Sequence, residues 1–262
     1  MSVLTENQKS DIENTLKKSL RNKFENYNPE AAVMPFHTAL LGKDRLALYS
    51  FIHSLNTNFG TTIFEPVALQ IAKPNFKNVK LKYKVGDEVC SSVQQVTNRI
   101  VDDLIAAKRI SNKSSEISEL RQSIIKTEIQ NVKPTVVDLM LETHDNELYL
   151  FDIKTAKPNK DGFKGFKRTL LQWAAVELTK NPSIKVNSLI AIPYNPYSPK
   201  PYERWTMQGL FDLKAELKVA EEFWDFLGGN GTYQELLVCF ERIGIEMRQE
   251  IDDYFLRFKT TI

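Results

Sequence analysis

Residues 134–154 decide the fold: Pro134-Thr135-Val136-Val137-Asp138-Leu139-Met140-Leu141-Glu142-Thr143-His144-Asp145-Asn146-Glu147-Leu148-Tyr149-Leu150-Phe151-Asp152-Ile153-Lys154. Thr135 to Leu141 is β-branched and apolar. His144-Asp145-Asn146 is a turn signal, and Leu148 to Ile153 is a second apolar run, so the stretch predicts a β-hairpin. Each strand carries one acid among its apolar residues, Asp138 in the first and Asp152 in the second. Strand side chains alternate between faces, so Asp152 and Lys154 share one face, roughly 6.5–7 Å apart along the strand, while Ile153 points into the core.

On the C-terminal side, Gly162 to Thr179 reads as a helix with Phe166, Leu170, Trp173, Ala174 and Val176 on or near its inner side, and Val186 to Ile192 as a third, buried strand. A Pro/Tyr-rich loop covers 193–205. Phe223, Trp224 and Phe226 begin a short helix that Gly228-Gly229 stops, and a long amphipathic helix is expected from Thr232 to Phe258. On the N-terminal side, Ile12, Leu16, Leu20, Phe24 and Tyr27 recur at helical spacing, and Asn28-Pro29 ends that helix. Further helices are expected over Asp44–Leu55 with Asp44 as cap, over Thr61–Ala72, along Val89, Val93, Val96, Ile100 and Leu104, and near Ile125 after the Ser-rich stretch Ser111–Ser118. The fold class that follows is α/β: a small mixed central sheet flanked by helices, with a largely helical N-terminal half, in one unit spanning 1–262. Its first half, up to residue 130, is mainly helical, and 131–262 holds the core that would carry chemistry.

The 262 residues are 42% hydrophobic and 26% charged, ordinary for a globular chain, and enough to bury a core without staples. The two cysteines, Cys90 and Cys239, lack metal-ligand spacing and read as buried free thiols. No run approaches the length of a membrane span and the N-terminus has no apolar signal core, so a cytoplasmic location without membrane attachment is expected. The net charge of +2 marks no general affinity for polyanions. Its distribution does: from Lys154 to Arg168 six basic residues (Lys154, Lys157, Lys160, Lys164, Lys167, Arg168) stand against one acid, Asp161.

Two carboxylates and a lysine at neighbouring strand ends suit hydrolysis of a phosphodiester. Asp138, Asp152 and the carbonyl of Ile153 form a set of hard oxygen donors for Mg2+, with waters and phosphate oxygens completing an octahedron. A metal there would neutralise the phosphate and lower the pKa of a bound water, while Lys154 would orient or help deprotonate that water and stabilise developing charge. Lys157, Lys160, Lys164, Lys167 and Arg168 would lie along a DNA backbone. The acid-x-Lys triplet alone carries little: Asp212-Leu213-Lys214 and Glu216-Leu217-Lys218 fit it too and receive no catalytic role. The information lies in the frame of strand, turn, strand and helix. The bland reading is a pair of edge-strand charges forming a surface ion pair.

The segment resembles the PD-(D/E)XK nuclease superfamily, and the chain is similar to type II restriction endonucleases of the TdeIII type. The residues that carry the likeness are 133–139, 151–159, Ala191-Ile192-Pro193-Tyr194-Asn195-Pro196-Tyr197, Pro201-Tyr202-Glu203-Arg204-Trp205 and 222–229. It spans about Met34 to Phe255. One departure is that Pro134 does not immediately precede Asp138. The resemblance implies a restriction-endonuclease-like core with Asp138, Asp152 and Lys154 as the catalytic trio. It also implies a Glu from an early helix, for which Glu65 is the candidate, a solvated helix residue being the alternative. It further implies Mg2+-dependent cleavage of double-stranded DNA at a short palindromic, GGNCC-like site leaving 5′-phosphates, and a partner DNA methyltransferase. A homodimer would match the palindrome, with the helical first half supplying much of the dimer and DNA-wrapping surface. A repair or junction-resolving nuclease of the same superfamily, and a non-catalytic DNA-binding module, are the other readings.

Overall fold

In the computed structural model, residues 3–27, 34–125, 128–154, 162–202, 207 and 209–257 are described. The chain runs through α1 (Glu6–Asn26), α2 (Pro35–Leu41), α3 (Lys43–Phe59), a π-helical turn at Gly60–Phe64, α4 (Glu65–Ala72), β1 (Asn78–Lys84), β2 (Glu88–Cys90), α5 (Ser91–Ile105) and α6 (Lys113–Gln122). It continues through β3 (Ile129–Asn131), β4 (Val136–Glu142), β5 (Glu147–Ile153), α7 (Gly162–Lys180), β6 (Lys185–Ile192), α8 (Leu213–Glu216), β7 (Leu217–Val219), α9 (Glu221–Gly228), α10 (Thr232–Glu246) and α11 (Arg248–Leu256).

The expected hairpin forms. β4 and β5 pair antiparallel, with Leu139 opposite Phe151 and Met140 opposite Leu150. Asn146 takes the left-handed conformation (φ 62°) that lets the tight turn close. The hairpin is the middle of a five-stranded sheet in the order β1-β4-β5-β6-β7. β1 is antiparallel to β4, while β6 and β7 run parallel to β5, joined through the α7 crossover. β2 and β3 form a separate two-stranded ribbon.

Because both faces of β5 and β6 are covered, their sequences are nearly continuously apolar. One layer sets α5, α6 and α7 against Leu148, Leu150, Val186 and Ile190. The other sets α1, α4, α9 and α10 against Leu139, Leu141, Phe151 and Leu189. Side chains such as Leu150 and Phe151 are fully buried, each worth roughly 1.5–3 kcal/mol in apolar transfer. α1 starts on a capping box, Thr5 with Gln8, and presents Ile12, Leu16 and Phe24 to the core at helical spacing.

Three differences from the sequence reading matter. The N-terminal half is not only helical: it supplies β1, an edge of the main sheet, through Val79, Leu81 and Tyr83 alternating with Lys80, Lys82 and Lys84. The long terminal helix breaks at Met247 (φ −89°, ψ 6°), whose buried side chain anchors the junction between α10 and α11. Asp44 lies in the first turn of α3 rather than at its cap, which is Gly42.

Candidate active site

The β4–β5 ladder ends at Leu139 and Phe151. One row beyond it stand Asp138 and Asp152, where β4 and β5 part while β4 stays paired with β1 and β5 with β6. β1 extends the same row, because Lys82 lies between the pairs Leu81–Leu139 and Tyr83–Val137. The row coincides with a change of face. Leu81 and Leu139 pack in the α4 layer, while Tyr83 and Val137, two residues along each strand, pack in the α7 layer. An unbroken strand keeps residues two apart on one face. Lys82, with φ 51°, marks the switch; a non-glycine side chain in this conformation is strained.

Asp138 and Asp152 are held by different means. Asp138 Oδ2 accepts a hydrogen bond from the Ile153 N–H at 2.9 Å, which ties the first strand to the second. Asp138 Oδ1 lies 2.8 Å from Lys82 Nζ. The same ammonium is 2.8 Å from Glu65 Oε1, so Glu65 is a buried member of the cluster, not a solvated helix residue. α4 runs on without a break from the π-helical turn, where the Glu65 N–H donates to the Gly60 carbonyl, and Pro66, which has no N–H to place in the ladder, follows directly on that turn. Asp152 is 7% exposed, and its Oδ1 lies 2.6 Å from Lys154 Nζ. Lys154 is fixed by its N–H, which donates to the Ala191 carbonyl at 2.9 Å, and its ammonium lies 4.9 Å from the Phe166 ring on α7.

Three acids share this space with two lysines. Burial pushes the Asp152 carboxyl up to about 6, with Asp138 adding to the rise and Lys154 opposing it. Burial likewise raises Glu65 above the carboxylate range, against the pull of Lys82. Lys82 is held above the ordinary lysine value: burial works against its charge, but hydrogen bonds to Asp138 and Glu65 outweigh it. Among the described residues, no group of three or more His, Cys, Asp or Glu side chains forms a metal cage by itself. Asp138 and Asp152 converge as a pair, with Glu65 across the Lys82 ammonium. Enclosed carboxylates offering only oxygen donors fit a hard divalent cation that keeps some of its waters.

The expected DNA-contacting residues separate. Lys164 and Arg168 are exposed on α7, where Arg168 reaches Asn98 Oδ1 at 2.6 Å and Asp102 at 3.5 Å on α5. Lys157 and Lys160 lie outside the described residues. Lys167 is not at the surface: it is 1% exposed. Its Nζ contacts Glu116 Oε2 and Glu216 Oε2, each at 2.6 Å, and Ser111 Oγ at 2.8 Å. Beside it the buried Lys113 meets Glu216 Oε1 at 2.9 Å and Ser188 Oγ at 2.8 Å. The reason is helical phase, since Phe163, Lys167, Leu170 and Ala174 fall on one inner stripe of α7. The sequence reading also passed over Lys82, whose alternating neighbours Lys80 and Lys84 give it no distinguishing signal.

The sequence profile of a family described as HinfI, type II restriction endonuclease, matches residues 4–244. The chain is 30% identical over 254 residues to the type II restriction enzyme MjaII of Methanocaldococcus jannaschii, covering 86% of this chain and 66% of that one. It is 28% identical over 224 residues to the type II restriction enzyme HgiCII of Herpetosiphon aurantiacus, covering 83% of this chain and 80% of that one. With HgiEI of the same organism the identity is 26% over 230 residues, covering 85% of this chain and 81% of that one. The chain thus spans about two thirds of the length of the first relative and four fifths of the other two.

Proposed function

The chain belongs to the HinfI family of type II restriction endonucleases, and we propose that it hydrolyses double-stranded DNA at a short palindromic site by PD-(D/E)XK chemistry. The observation that carries this reading is the row Asp138–Asp152 with Lys154 2.6 Å from Asp152, in the fork where β4 and β5 part. Mg2+, bound through Asp138, Asp152 and the Ile153 carbonyl, would supply charge neutralisation at the phosphate and a more acidic water. The chain's own groups do the rest. The Ile153 N–H fixes the Asp138 carboxylate, and the backbone bond of Lys154 to β6 fixes its reach. The Lys154 ammonium orients the attacking water and stabilises charge developing on phosphorus. In-line attack then leaves a 5′-phosphate and a 3′-hydroxyl.

Glu65 completes the acid cluster from the N-terminal half. Lys164 and Arg168 on α7, with Lys157 and Lys160 before it, offer positive charge to the backbone. A palindromic site, GGNCC-like by the resemblance to the TdeIII type, calls for a two-fold symmetric reader. The α2–α3 pair suits that role: α2 buries none of its residues, and Phe36, Leu40, Tyr49 and Ile52 are exposed. The protein would act in the cytoplasm beside a DNA methyltransferase of the same specificity. Purified protein with Mg2+ and unmethylated phage DNA tests the reading. Discrete fragments with common ends are expected. Intact DNA, or cutting by Asp152→Ala at the wild-type rate, would refute it.

A further inference from the structure

Asp138 has two carboxylate oxygens, and both are engaged. Oδ2 accepts the Ile153 N–H at 2.9 Å, a bond built into the strand ends. Oδ1 is the oxygen left for an external cation, and Lys82 Nζ lies 2.8 Å from it. The same ammonium reaches Glu65 Oε1 at 2.8 Å. The two acids are enclosed, their side chains 5% and 19% exposed, whereas that of Lys82 is 50% exposed and has solvent to move into. A divalent ion bound at Oδ1 would stand within a few ångströms of the ammonium, and like charges that close in a partly buried site repel each other.

We infer that Lys82 is the resident counter-cation of the acid cluster: it bridges Glu65 and Asp138 until a divalent ion arrives and must swing off Asp138 Oδ1 for the ion to enter. The inference rests on the reading of Asp138 as a metal ligand. Lys82 acts through the acids, so it is a positioning residue, and it has two opposed effects. It holds together carboxylates that would repel each other in the metal-free protein, and it weakens the ion's grip by competing for the same oxygen. Its left-handed backbone, at the point where β1 changes face, aims the side chain along the row.

Mn2+ titrated by calorimetry into the full chain without DNA tests this. Lys82→Met is expected to bind Mn2+ about tenfold tighter than wild type, and Lys82→Arg, which keeps the competing charge, about as weakly as wild type. A purely packing role for Lys82 would not tighten binding on its loss. Wild-type or weaker affinity in Lys82→Met overturns the inference. Should that variant fail to fold without metal, reductive methylation of the wild-type protein decides. Reaction at Lys82, relative to Lys80 on the same strand, is expected to rise on adding Mn2+, and an unchanged ratio refutes the exchange. Equal Mn2+ affinity in wild type and Lys82→Met removes the role of Lys82 and leaves the nuclease reading standing. An absence of Mn2+ binding to both removes the metal-site reading and this inference with it.

Discussion

The molecule carries two clusters of carboxylates and lysines, one in each helical layer's border with the sheet, and they are built to opposite ends. Lys113 and Lys167 meet Glu116 and Glu216 in a closed group, 0–5% exposed, with two charges of each sign and serine hydroxyls filling the remaining bonds. Glu216 stays below the ordinary carboxylate range there: burial would raise it, but Lys113 and Lys167 outweigh burial. At the end of β4 and β5, three acids share two lysines, Lys82 is half exposed, and Asp152 is pushed up to about 6. The balanced cluster is satisfied without any ligand. The unbalanced one keeps an excess of acids over lysines beside two partly exposed ammonium groups, the kind of site that draws in a cation and a phosphate.

That contrast can be broken at its strongest point first. Asp152→Ala is expected to lower single-turnover DNA cleavage at least about a thousandfold, because the proposed metal ligand it removes would be worth several kcal/mol of transition-state stabilisation, while urea melts show the fold intact. Lys167→Met should do the reverse. It strands Glu116 and Glu216 with one lysine between them, and an orphaned buried charge costs about 3–5 kcal/mol of stability by denaturant titration. Residual folded Lys167→Met should cut DNA with unchanged salt dependence, which separates it from a phosphate contact.

A smaller effect sharpens the comparison through pH. The Asp152 carboxyl is raised in the folded protein, so the folded state holds its proton to higher pH than the unfolded chain does. Stability attributable to this group therefore falls as pH rises from about 4 to about 6, and the deficit is complete above about 6. Asp152→Asn removes the deficit. Without metal, the variant should melt a few degrees above wild type at pH 8, by roughly 2–4 °C per kcal/mol for a chain of this size, and the gap should close by about pH 4. No charge-neutral substitution in the balanced cluster should stabilise in this way. The smallest effect concerns Arg168, next in sequence to Lys167 but exposed. Arg168→Ala should leave stability within about 0.5 kcal/mol. It should also reduce the salt slope of DNA binding by about one unit, as measured by fluorescence anisotropy.

Much of this arrangement was legible in the sequence, and for physical reasons. The β4–β5 hairpin is two nearly continuous apolar runs around a turn signal, each interrupted by one acid, so strand geometry alone brings Asp138, Asp152 and Lys154 to one end. Lys167 was legible too, had the helical phase of Phe163, Leu170 and Ala174 been weighed above local charge density. Glu65 could be suggested only through a family likeness, because its burial depends on α4 docking beside β1. Lys82 could not be singled out from Lys80 and Lys84. Its place depends on a positive φ and a face switch that arise from tertiary pairing.

Glu65 and Lys82 come from the first half of the chain, Asp138, Asp152 and Lys154 from the second, and they meet because β1 zips onto β4. A gene divided between those halves would therefore yield two pieces, neither of which holds the complete set of polar groups. Pairing of β1 with β4 is therefore the long-range contact on which the completeness of the cluster depends.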